Sequence, residues 1–158
     1  LTASSNDVDG DAVTYAWEQF DLGGAQNQPT STSTTAPNFR SFLPDVSPTR
    51  TFPQLSNILA GNNTTQWENI PTVSRIMDFR VTARDNNNSG YGCTDSDNMR
   101  LTVSNSSGPF IVTAPNTAST WTVGNTETIS WNVANTNAAP VSATNVDILE
   151  MNRDKPKG

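Results

Sequence analysis

The residues of this chain best suited to chemistry are Asp7, Asp9 and Asp11, in the run NDVDGD from Asn6 to Asp11. Carboxylates at alternate positions around Gly10 let the backbone curl with several oxygens on its inside, the arrangement a hard cation requires. Calcium takes about six to eight oxygen ligands at ~2.3–2.6 Å, so one acidic turn falls short and a second segment has to contribute. Asp85 and Asn86 are the natural donors, with Asp95 or Asp97 behind them. The other reading of the same residues is that Asp and Gly simply form good turns and water satisfies the carboxylates. The bidentate Glu that closes an EF-hand loop is absent.

The remaining chemistry is sparse. Glu18 and Asp21 could pair as acid and base, since a two-carboxylate hydrolase needs only geometry and one raised pKa, yet nothing else in the chain supports catalysis. No histidine is present, which removes the HExxH zinc site, the Ser/His/Asp triad and Cys/His nucleophilic pairs together. The single cysteine, Cys93, has no internal disulfide partner and is expected to be a buried structural thiol rather than a reactive one. Of the four tryptophans, Trp17 and Trp131 sit in alternating strand patterns and are expected in the core. Trp67 and Trp121 sit in polar loops, where an aromatic face either packs over the end of a domain or stacks on a ligand such as a sugar or peptide.

Composition narrows the class of protein that holds these residues. Of 158 residues, 34% are hydrophobic and 15% charged, and Thr, Ser and Asn fill the difference. Both fractions lie below usual globular levels. A polar but weakly charged chain suits strands with one wet face and many turns, as in secreted bacterial β-proteins. The formal net charge of −6 disfavours partners bound by neutralising phosphates, so neither nucleic acid nor an anionic membrane surface is expected. No run approaches the ~18 apolar residues of a membrane-crossing helix, and no signal peptide opens the chain.

The elements that must position the candidates read as strands. Leu1 to Ser4 is a short strand feeding the acidic turn. Val13 to Phe20 follows, with Val13, Tyr15 and Trp17 on one face and Thr14, Ala16 and Glu18 on the other. Asp21 to Pro37, with its Gly pair, two prolines and Ser/Thr tract, reads as a long surface loop. In Phe39 to Leu59 three prolines break any long helix; Phe39, Phe42 and Phe52 are expected to plug the core, and PQLSNIL to form one helical turn. Thr72 to Ala83 is a second strong strand with Met77, Phe79 and Val81 buried. A turn-rich loop, RDNNNSGYG, leads to a returning strand, Asp97 to Ser104, with Met99, Leu101 and Val103 inward. After the joint SNSSG, Phe110 to Thr113, Glu127 to Val133 and Asn145 to Met151 are three further strand candidates, about half of the roughly seven strands a sandwich needs.

Four segments in order carry a resemblance: DVDGDAVTYAWEQFDLG, FRSFLPDVSPTRTFPQLSNIL, PTVSRIMDFRVTARDN and GPFIVTAPNTASTWTVGNTETISWNVANTNAAPVSATNVDIL. Together they resemble the region after the catalytic domain of secreted reprolysin-like zinc metalloproteases of Bacteroidetes-type bacteria. The resemblance implies a string of immunoglobulin-like or cadherin-like β-sandwiches with an accessory role, and a Leu1 that lies in the second strand of its sandwich with the first strand upstream. Similar sequences can carry a Cys where this chain has Ala16, across from Cys93; here that disulfide is impossible. The tail MNRDKPKG departs from the Ser/Asp/Gly-rich loop expected after NVDIL.

The expectation is therefore an all-β chain: one immunoglobulin-like sandwich over residues 1–106 lacking its first strand, then the N-terminal half of a second over 107–158. Its expected role is a non-catalytic, secreted or cell-surface module that spaces a metalloprotease or anchors it on a protein or polysaccharide substrate. Calcium at the acidic turn would stiffen it, while zinc would belong only to a catalytic domain outside this chain. The alternative is a subunit of an extracellular filament or adhesin that joins neighbouring copies by β-strand complementation.

Overall fold

The computed structural model describes residues 1–87, 90 and 92–148. The tail MNRDKPKG, the end of the strand expected at Asn145 to Met151 and part of the RDNNNSGYG loop lie outside the described residues. The chain divides into two compact units, Leu1–Asn105 and Ser106–Gly158. Both are antiparallel β, and helix is confined among the described residues to a single turn.

The first unit is built on one sheet. Strand β1 (Val13–Gln19) pairs with β2 (Arg75–Asp85), and β2 pairs with β3 (Thr94–Val103), all antiparallel. Trp17 lies opposite Val81, Gln19 opposite Phe79, and Phe79 in turn opposite Met99. That register puts alternate residues of β2 on one face: Arg75, Met77, Phe79 and Val81 are all buried. Trp17, Phe39, Met77, Phe79 and Val81 form the core, with Leu1, Tyr15, Phe52 and Leu101 packed around it. Phe79 is 1% exposed, and the Phe52 ring lies 4.8 Å from it and 5.4 Å from that of Phe39. Removing a side chain so enclosed forfeits both its transfer free energy and the contacts around the cavity left behind.

Irregular chain covers this face of the sheet, tied down by a buried polar lattice. Gln19 Oε1 accepts the backbone N–H of Asn38 at 2.7 Å and of Phe39 at 3.1 Å. The guanidinium of Arg75 donates to Ala36 O (2.8 Å), Ser33 O (3.0 Å), Asn38 Oδ1 (2.5 Å) and the Asp21 carboxylate (2.8 Å). Glu68, 2% exposed, accepts Arg50 Nη2 at 3.1 Å and the Gln54 N–H at 2.9 Å. Every such group would cost free energy if left unpaired in the interior, so the lattice fixes loops whose composition alone specifies little. The single helical turn, α1 (Leu55–Leu59), lies where PQLSNIL was expected.

Several expectations are corrected. Leu1 to Ser4 forms only an isolated bridge, Thr2 with Thr49. Phe42 is exposed at the surface rather than plugging the core, with the Arg50 guanidinium 4.5 Å above its ring. Met99, on the edge strand β3, is exposed rather than inward. Cys93 is exposed as well; it lies in the loop just before β3.

In the second unit β4 (Ile111–Ala114) pairs with β5 (Ser130–Asn132), with a register shift between Val112 and Ala114. Every residue of both strands is exposed. Trp131, expected in a core, is 37% exposed and meets the Phe110 ring at 6.1 Å. Asn145 to Ile148 is not strand.

Candidate functional site

The acidic run becomes a turn because Gly10 adopts φ +86°, a backbone conformation L side chains rarely take. Asp7 Oδ2 closes it by accepting the Asp11 N–H at 2.6 Å. The result brings one carboxylate oxygen from each of Asp7, Asp9 and Asp11 within 4.8 Å of one another. Oxygens on opposite sides of one calcium ion are separated by about twice the ~2.4 Å ligand distance, so all three can touch a single ion. The turn leads directly into β1, which places it at the end of the sheet where the β2–β3 loop begins.

That loop supplies the fourth polar group. Asn87 Nδ2 donates to Asp11 Oδ2 at 2.6 Å and to Asp9 Oδ2 at 3.4 Å. The neighbouring Asn86 instead pins the strand entrance, donating to Ala12 O (2.6 Å) and Thr14 Oγ1 (3.1 Å). Asp85 is paired with Val13 across the ladder, and its N–H donates to Cys93 O at 3.0 Å. Asp85 and Asn86, the donors the sequence suggests, therefore flank the turn, and Asn87 reaches it. An Asn amide can present either nitrogen or oxygen from nearly the same position, so Asn87 could offer an oxygen to a cation.

Electrostatics within the turn are repulsive. A hydrogen bond from its own backbone N–H pulls the Asp9 carboxyl down, but the hydrogen bond and charge of Asp7, together with the charge of Asp11, outweigh it and raise its pKa from the ordinary aspartate value. A cation would relieve that crowding.

Asp7 and Asp85 also line a cleft of about 370 Å³ with Asp95, Asp97 and Cys93. Glu18 and Asp21 do not form an acid–base pair: Ser41 Oγ donates to Glu18 at 3.1 Å, while Asp21 is taken up by Arg75, Gln19 and the Asp78 N–H.

The two loop tryptophans lie in separate units. Trp67 is 40% exposed at a cleft of about 380 Å³ formed with the loop after β1. Trp121 lines a cleft of about 350 Å³ in the second unit, with Phe110, Trp131 and Ile148. What sequence reasoning missed is the buried ion pairing of Arg75 with Asp21 and of Arg50 with Glu68; the partners stand far apart in the chain and no local pattern links them.

No protein-family model, no curated protein and no solved structure matches this chain. Among the described residues, no helix is long and apolar enough to cross a membrane.

Proposed function

We propose that the chain is a non-catalytic extracellular module of immunoglobulin-like β-domains, the accessory or stalk region of a secreted zinc metalloprotease, stiffened by calcium at the acidic turn. It spaces the catalytic domain from the cell surface or holds it on a protein or polysaccharide substrate. The observation that carries this reading is the convergence of Asp7, Asp9 and Asp11 within one ion's reach, with Asn87 of the following loop turned onto them. An ion held there would tie the segment before β1 to the loop after β2, and so brace the end of the sheet. The histidine-free composition supports a module without its own hydrolytic centre.

Thermal unfolding with calcium and with a chelator tests it. Calcium raises the melting temperature by mass action on the folded state, and Asp9→Asn reduces that rise; a melting curve indifferent to chelation refutes the calcium brace. The response also depends on pH. Because the folded-state pKa of Asp9 is raised, the folded chain without calcium holds this proton more tightly than the unfolded chain. The turn therefore loses stability as pH rises through that range. The gain from calcium is accordingly larger near neutrality than in acid.

A second reading is favoured by the second unit, in which every residue of both strands is at least a third exposed and Phe110, Trp121 and Trp131 have no buried neighbour among the described residues. A strand donated by another copy would cover them, as in a filament or adhesin assembled by complementation. Light scattering across a concentration series separates the two: a monomer supports the stalk, and a chelator-insensitive polymer supports assembly.

A further inference from the structure

The cleft beside Trp67 has the chemistry of a sugar site. Trp67 and Arg40 are held side by side by the backbone, with Arg40 N–H donating to Trp67 O at 3.1 Å and Phe39 bridged to Glu68. The Arg40 guanidinium lies 5.3 Å from the indole centroid, and among the described residues it has no carboxylate partner. The same cleft is lined by Gln26, Asn27 and Gln28. Gln26 Oε1 accepts the Thr30 hydroxyl at 3.3 Å, whereas the Asn27 and Gln28 side-chain amides and the Trp67 indole N–H have no hydrogen-bond partner among the described residues.

The wall is also built rather than loose. A Cβ on Gly23 would fall 2.2 Å from Ala36 Cα, so the loop closes on itself there as only glycine allows. Its far side is anchored by Asn38 Nδ2 to Thr30 O and Asn69 Nδ2 to Pro29 O, both 2.8 Å. Asp21 at the cleft is neutralised by its 2.8 Å ion pair with Arg75.

We propose that this cleft binds a short stretch of an uncharged polysaccharide. An exposed indole offers a flat apolar face to the C–H side of a sugar ring, and amides plus a guanidinium supply donors and acceptors for its hydroxyls. The volume of about 380 Å³ sits at the small end of ligand sites, ~300–1,000 Å³, which suits one or two rings. With Asp21 neutralised, Arg40 is the cleft's one unpaired charge among the described residues, while the net charge of −6 over the whole chain works against long polyanions; the proposal commits to the uncharged chain. The inference rests on the substrate-anchoring part of the function proposed above and is independent of the calcium brace, so either can fail alone.

Affinity electrophoresis of the full chain in gels containing laminarin, xylan or galactomannan, with sedimentation on cellulose and chitin, tests it. Binding to at least one neutral glycan is expected, weakened about tenfold or more, about 1.4 kcal/mol, by Trp67→Ala and also by Arg40→Ala, and unchanged by Trp121→Ala. Oxidative footprinting of the wild-type chain guards against a folding defect: the bound glycan must slow modification of Trp67 and leave that of Trp121 unchanged. No binding to any of the five, binding that survives Trp67→Ala, or Trp67 left unprotected overturns the proposal.

Discussion

Trp17 and Trp131 stand in nearly identical sequence settings, each in a strand whose apolar and polar residues alternate, and they end in opposite environments. Trp17 is 6% exposed, its indole N–H donates to Pro48 O at 3.0 Å, and it belongs to the aromatic core of the first unit. Trp131 is 37% exposed with Phe110 as its ring neighbour. Alternation determines which side chains share a face; whether that face is covered depends on segments elsewhere in the chain. In the first unit the cover is the irregular chain bearing Phe39 and Phe52. In the second, no described residue is buried.

The contrast can be pressed by mutation. The largest effect is expected for Phe79→Ala, which opens a cavity under the cover and costs about 3–5 kcal/mol in denaturant unfolding; a cost below about 1 kcal/mol would mean that the first core is as open as the second. Glu68→Gln comes next. It strips the charge from a buried ion pair while keeping the shape, and about 2–3 kcal/mol is expected in the same assay because Arg50 is left underpaired. Trp131→Ala should cost about 1–3 kcal/mol, less than Phe79→Ala, because more than a third of its surface already faces water. A loss as large as that of Phe79→Ala would mean that its face is covered further in solution, as complementation between copies requires.

The sequence-to-structure route succeeded where the signal was local. Met77, Phe79 and Val81 are buried as their parity in the strand indicates, and the single helical turn falls on LSNIL. Arg75 shares that parity and is buried too, but nothing near it indicates so, because its countercharge Asp21 arrives from the end of β1. Glu68 is similar: within GNNTTQWENI it reads as one more polar loop residue, and only Arg50 across the fold explains its burial. Cys93 and Phe42 were expected inside on residue type and are outside, since hydrophobic character alone does not place a loop residue. In the acidic turn, Asp7, Asp9 and Asp11 were readable from spacing around Gly10. The reach of Asn87 rather than Asn86 was not, because a one-residue change of position where β2 ends sends the side chain to the other side.

The first residues of the chain have a mechanical consequence. The Leu1 amino group donates to Arg50 O at 2.8 Å, Arg50 N–H returns a bond to Leu1 O at 2.9 Å, and Ala3 N–H donates to Pro48 O at 3.0 Å. Tension applied at Leu1 meets this short seam before it reaches β1, so within the first unit the peeling of residues 1–3 from residues 48–50 comes first. The three-stranded sheet carries the load only after that seam has parted.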